Sequence, residues 1–249
     1  MISLKRPMMM AALIFLGFSA QSQFSDTIQV VFEKRINVEK LLLKYAGENM
    51  QDRMKYFDKI QIENYSFVGS THLSIYSYKP KNADEEPKRS ALFGYNGTEN
   101  IVFNNYDEKK CTISKLVYDE KMLVSDTLKK YKWRISNETR DILGYKCRKA
   151  TSIINDSVTV YAFYAQELLC TGGPETFNGL PGMILGVAVP MLHTTWFASS
   201  VIIKDVNLST ISSPTKGKKH NYNSLNTKLS DALKDWGKIR NLYVMLNSL

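Results

Sequence analysis

Residues 172–190, GGPETFNGLPGMILGVAVP, hold five of the thirteen glycines and three of the seven prolines of this 249-residue chain. Glycine reaches backbone conformations closed to other residues, and proline fixes one dihedral and removes a donor. Such clusters mark polar turns, yet this one is threaded with Leu180, Met183, Ile184, Leu185, Val187 and Val189. An apolar loop of this kind is read as a packed corner that shapes a binding face, the alternative being a surface built to be covered. Gly179, Leu180, Pro181, Gly182, Met183 and Ile184, with His193 and Trp196 just downstream, are therefore the candidate binding residues.

Outward from the corner the chain reads as short strands. Tyr145–Ile154 and Val158–Leu169 flank a turn at Asn155-Asp156, and Thr194–Val206 resumes strand character. Val158, Val160, Ala162 and Tyr164 alternate with Thr159, Tyr161 and Phe163, so both faces of that strand are apolar or aromatic, as in a central strand or a cavity wall. Further upstream, residues 101–103, 113–118, 122–124 and 131–135 form strand-like runs, preceded by others at 60–68 and 73–78. Short links between consecutive strands predict an antiparallel meander. Asn37 is placed to cap a helix through Leu41–Tyr45, Met50, Met54 and Phe57 keep helical spacing, and Lys79–Ser90 is a charged loop. Asn223 is expected to cap a C-terminal helix whose stripe is Leu225, Leu229, Ala232, Leu233 and Trp236. The expected fold class is α+β: a curved, mostly antiparallel sheet, open or half-closed like a barrel, with N-terminal and C-terminal helices. A sheet of that shape with aromatic inner faces would suit an apolar ligand.

The first 22 residues carry Lys5 and Arg6, an apolar run from Met8 to Phe18 and the small-x-small triplet Ala20-Gln21-Ser22. This is the pattern of an export signal, too short to span a bilayer, and it leaves residues 23–249 as one domain with no transmembrane segment. No cysteine near the cleavage point supports a lipoprotein. The formal charge of +9 is spread over dispersed lysines, with a denser group at Lys216, Lys218 and Lys219. That dispersal argues against nucleic acid and for attraction to anionic surfaces or partners.

Chemistry-bearing residues are sparse. Cys111, Cys147 and Cys170 predict one disulfide and one leftover thiol in an oxidising compartment, although pairing across the Asn155-Asp156 hairpin sets Cys147 opposite roughly Tyr164, short of Cys170. His72, His193 and His220 show no metal-site spacing. No catalytic set, cofactor or metal is assigned. The rival to a binding protein is an exported hydrolase or thiol-dependent enzyme, with Cys170 as nucleophile and His193 as base.

Three blocks, WRISNETRDILGYKCRKA (133–150), the run 161–184 ending GGPETFNGLPGMI, and PMLHTTWFASSV (190–201), together resemble the GLPGLI family of exported Bacteroidota proteins, with Met183 where the name has leucine. Lys216-Gly217-Lys218-Lys219 and Asp235-Trp236-Gly237-Lys238 are similar to the C-terminal portion of one branch. The resemblance implies a periplasmic or outer-membrane-associated protein working beside a TonB-dependent outer-membrane receptor, and it names no reaction. It also implies O-glycan candidates at Thr27, Thr127 and Ser157, each following Asp and preceding an apolar residue. The same triplets are ordinary turn chemistry otherwise.

Overall fold

The computed structural model describes residues 27–46, 58–82, 95–117, 119–204, 208, 211–247 and 249. The expected export signal, the expected helical patch at Met50–Phe57 and most of the expected loop at 79–90 lie outside the described residues. The strands are β1 (Ile28–Asn37), β2 (Ile60–Gly69), β3 (Leu73–Tyr78), β4 (Tyr95–Asn105), β5 (Lys110–Val117), β6 (Glu120–Thr127), β7 (Arg134–Ile142), β8 (Tyr145–Ile154), β9 (Val158–Ala165), β10 (Met183–Val189), β11 (Thr194–Ile203) and β12 (Lys218–His220). The helices are α1 (Val38–Ala46), α2 (Tyr222–Ala232) and α3 (Gly237–Asn247).

All twelve strands join one sheet in the order β12-β6-β5-β4-β3-β2-β1-β11-β10-β9-β8-β7. Every pairing is antiparallel except β12 with β6. Two meanders, β2–β6 and β7–β11, are joined by β1, which pairs with β2 on one side and β11 on the other. The result is an α+β fold built on an open, curved sheet, with β12 and β7 as its edges. Twisted sheets of this width curl rather than stay flat.

Period-two burial fixes the inner face. Ile28, Val30, Phe32, Lys34 and Ile36 of β1 are buried while their neighbours are less so. Tyr65 and Phe67 of β2 and Tyr76 of β3 continue that face, with Tyr65 and Tyr76 stacked at 5.0 Å. The chain itself packs this face: the corner supplies Phe177, α3 supplies Leu242, Tyr243 and Leu246, and Leu249 follows two residues beyond the helix. The chain's own aromatic and aliphatic side chains thus pack against the inner face.

Several elements differ from expectation. Residues 183–189, read as part of the loop, form β10, nearly all of it buried. Residues 131–133 precede β7 rather than joining it, and their side chains bond to the corner. Trp133 Nε1 donates to Asn178 O at 2.9 Å, and Tyr131 and Thr176 join hydroxyls at 2.8 Å. Asn221, not Asn223, caps α2, since its side chain accepts from Ser224 N at 2.8 Å while Ser224 Oγ accepts from Asn221 N at 3.0 Å. Leu225, Leu229 and Leu233 are buried, but the chain breaks before Gly237 (φ 54) and Trp236 is left 39 % exposed. In the β8–β9 hairpin Arg148 sits opposite Tyr164, one residue from the position assigned to Cys147.

Candidate binding cleft

The corner is held by its own backbone. Met183 N donates to Leu168 O and Ile184 N to Gly172 O, both at 3.0 Å, which starts β10 against the incoming chain. Gly182 has φ 141, and a Cβ there would run into the carbonyl of Ala165, so only glycine fits. Glu175, itself left-handed at φ 51, meets Lys34 Nζ at 3.1 Å with both side chains buried. The Lys34 ammonium also lies 5.3 Å from the Tyr65 ring centre and 5.2 Å from that of Trp196. A buried ion pair between two aromatic faces offsets part of the desolvation that an isolated lysine would suffer.

The candidate binding residues are spread through this packing. Leu180, Gly182, Met183, Ile184 and Trp196 are buried, and of the motif only Gly179 and Pro181 are exposed. His193 lies beyond the far end of β10, left-handed at φ 46, where its carbonyl accepts from Asn37 N at 2.9 Å. Burial, then Lys44 and Lys40, holds its imidazole below the usual histidine range. The eight residues do not share one accessible surface.

The expected disulfide is also absent: Cys111, Cys147 and Cys170 are free, buried thiols. Cys111 is on β5 and Cys147 on β8, eight places apart in the sheet, and Cys170 donates from Sγ to Ser70 O at 3.2 Å. Burial pushes the Cys147 and Cys170 thiols up to about 11 and raises Cys111 too, so none is a ready thiolate. Cys170 and His193 lie toward opposite ends of β10, a strand of seven residues and so about 20 Å long. They do not form a nucleophile–base pair. Among the described residues no three His, Cys, Asp or Glu side chains gather as metal ligands.

What the sequence reading missed is a set of lysines beside the corner. Lys115 of β5, itself buried, donates to Asn247 O at 2.6 Å and the half-buried Lys129 to Leu249 O at 3.4 Å, so two ammonium groups meet backbone oxygens at and just beyond the end of α3. Thr176 Oγ1 donates to Leu249 O as well, tying the corner to the same point. Burial, with Lys34 adding to it and Glu175 opposing, lowers Lys115 to about 8. Burial and the charge of Lys115 lower Lys129 to about 7.

Lys129 opens this buried group onto a cleft of about 420 Å³ between the β6–β7 connector, the β8–β9 turn and α2. Lys130 and Lys132 stand exposed on its wall, Tyr131 and Tyr222 line it, and Asp156 is the one carboxylate among its residues. The Lys129 ammonium lies 4.7 Å from the Tyr222 ring centre. A neighbouring cleft of about 450 Å³ shares Asn155 and Asn226 and adds Arg240. Residues 128–133, LKKYKW, carried the signal, three lysines in four positions, as dense as the Lys216–Lys219 group but set beside two aromatics.

The glycan candidates separate by position. Ser157 is exposed just after the left-handed pair Asn155 (φ 48) and Asp156 (φ 58), and Thr127 is exposed, whereas Thr27 is buried. Local bonding is what the first two exhibit. Ser157 Oγ donates to Asn155 O at 3.2 Å, and Asp126 Oδ1 accepts from Thr127 N at 2.7 Å.

A family model described as "N-glycanase peptide, N-terminal domain" matches residues 88–227. No functionally curated protein matches the chain. Two crystal forms of PNGF-II each give a TM-score of 0.53 at 17 % identity, covering 81 % of this chain and 32 % of that one. The chain therefore spans about a third of the length of the PNGF-II structures it matches. An uncharacterized conserved protein from Thermus thermophilus aligns more loosely, at a TM-score of 0.40 and 7 % identity over 79 % of this chain and 91 % of that one. No helix among the described residues is long and apolar enough to cross a membrane.

Proposed function

Because this chain belongs to the family of the N-glycanase peptide, N-terminal domain, we propose that it is an accessory module that binds a ligand or partner and performs no chemistry itself. The observation that carries this reading is the lysine-lined cleft beside α2, a concave site with charged and aromatic groups. It is supported by the state of the groups a thiol-dependent enzyme would need, since Cys170 is buried and far from His193. The export signal and the resemblance to the GLPGLI family support a location in the periplasm or at the outer membrane, beside a TonB-dependent receptor. In that setting the family description fits a domain that positions or captures material for an N-glycanase unit elsewhere in a longer protein or complex.

Affinity purification from cell envelopes, with mass spectrometry of co-purifying proteins and small molecules, tests this. Recovery of an envelope receptor or a bound small molecule is expected. Recovery of neither, or hydrolase activity in the purified module that is lost in Cys170→Ser, contradicts the reading.

A further inference from the structure

The geometry points to the cleft at residues 129–132, 153–156 and 222–226 as a binding site for a hydroxyl-rich organic anion, a sugar bearing a carboxylate or a phosphate. This inference rests on the accessory-module reading and names the ligand class of that module.

Three features specify the class. Lys129, Lys130 and Lys132 put three amines on one short segment, and Arg240 adds a fourth cation in the adjoining cleft. Such an excess, partly desolvated, favours an anionic group. Asp156, Asn155 and Asn226 lie in the same lining. A carboxylate there repels a bare inorganic anion, whereas with the amides it accepts hydrogen bonds from hydroxyls, so the anion should carry a hydroxylated body. Ile153, 63 % exposed, and the tyrosine rings offer apolar surface to the C–H face of a ring. The volume of about 420 Å³ lies at the small-ligand end of known sites, enough for one or two sugar units.

Lys129 gives the site a pH signature. The groups facing it are Lys115 and Cys111 of β5, Glu175 of the corner, Tyr222 of α2 and the main-chain oxygen of Leu249, to which it donates. The thiol and the phenol are held neutral by burial, and Lys115 keeps most of its charge below about 8. A bound anion draws Lys129 back to its protonated form, so binding takes up a proton and affinity falls as pH rises through about 7.

Isothermal titration of the full chain with galacturonate and with glucose 6-phosphate tests the proposal, with glucose and inorganic phosphate as controls. At least one acidic sugar should bind about tenfold or more tightly than both controls, and the stronger of the two identifies the anionic group. Lys130→Ala/Lys132→Ala, both exposed positions, should weaken that binding by about tenfold or more with thermal unfolding unchanged. For galacturonate, whose carboxylate stays ionised throughout, affinity should drop between about pH 6 and about pH 8, with proton uptake seen as a dependence of the heat on buffer ionisation enthalpy. Equal binding of glucose, equal binding of phosphate, no binding of either acidic sugar at millimolar concentration, or an undiminished double variant overturns the proposal. Receptor recovery from envelopes alongside any of those results would leave the accessory reading standing and remove only the ligand class.

Discussion

Lys34 keeps its ammonium in the core because Glu175 reaches it at 3.1 Å from a left-handed backbone position across the corner. Removing one partner strands the other charge. Lys34→Met or Glu175→Gln alone should destabilise by about 3–5 kcal/mol, while the double variant should lose less than the two single losses combined. Denaturant unfolding of the three variants checks this, and simple additivity would sink the pairing. Lys115 and Lys129 set a pH dependence. Their folded values of about 8 and about 7 lie below the unfolded value of about 10.4, so above about pH 7 the unfolded chain binds more protons and stability rises with pH. Cys147 and Cys170 are shifted up, to about 11, so above the unfolded thiol value of about 8.5 the folded state holds the extra protons and stability falls. Stability should therefore climb between about pH 7 and about 8.5, by at most about 1.4 kcal/mol per pH unit per proton, and then turn. Lys129→Met should flatten the climb. A steady fall from pH 7 would contradict the assignment.

At the scale of elements, the corner and β10 work as one unit, and two glycines distinguish its parts. Gly182 is left-handed and abuts Ala165 O, so Gly182→Ala should cost about 3 kcal/mol or more. Gly179 is left-handed but faces open space, so Gly179→Ala should cost about 1 kcal/mol. Equal losses in thermal or denaturant unfolding would mean the corner is not packed as described. Legibility divides along the same line. Tyr145–Ile154 was readable to its ends because both its turns carry Gly or Asn-Asp signals. β10 was hidden because a strand covered on both faces loses its alternation, and its glycine and flanking prolines look like turn chemistry. Residues 131–133 carry strand-forming side chains, yet their polar atoms are claimed by Asn178 and Thr176, some forty-five positions away. α3 opens on Gly237, a residue that in a sequence pattern marks a helix end rather than a start. The disulfide failed because cysteine count says nothing of strand order, and the sheet puts Cys111 and Cys147 far apart.

Across the whole molecule, two meanders share one strand, β1, and one face is filled by the corner and the C-terminal helices. The glycine-rich 172–190 stretch is thereby committed largely to packing, and a cleft lined by charged and aromatic side chains lies where the β6–β7 connector, the β8–β9 turn and α2 meet. The aromatic and β-branched runs announced the sheet, but a cleft assembled from three distant segments has no local signature beyond LKKYKW. The chain spans about a third of the length of the PNGF-II structures it matches, and the likeness extends to the fold. Backbone amide chemical-shift mapping of the isotopically labelled chain during titration with galacturonate and glucose 6-phosphate tests the central claim most directly. Saturable shifts confined to residues 129–133, 153–157 and 222–226, with the 172–182 corner unmoved, are the predicted result. Shifts centred on the corner and His193, or none anywhere with either ligand, would contradict it.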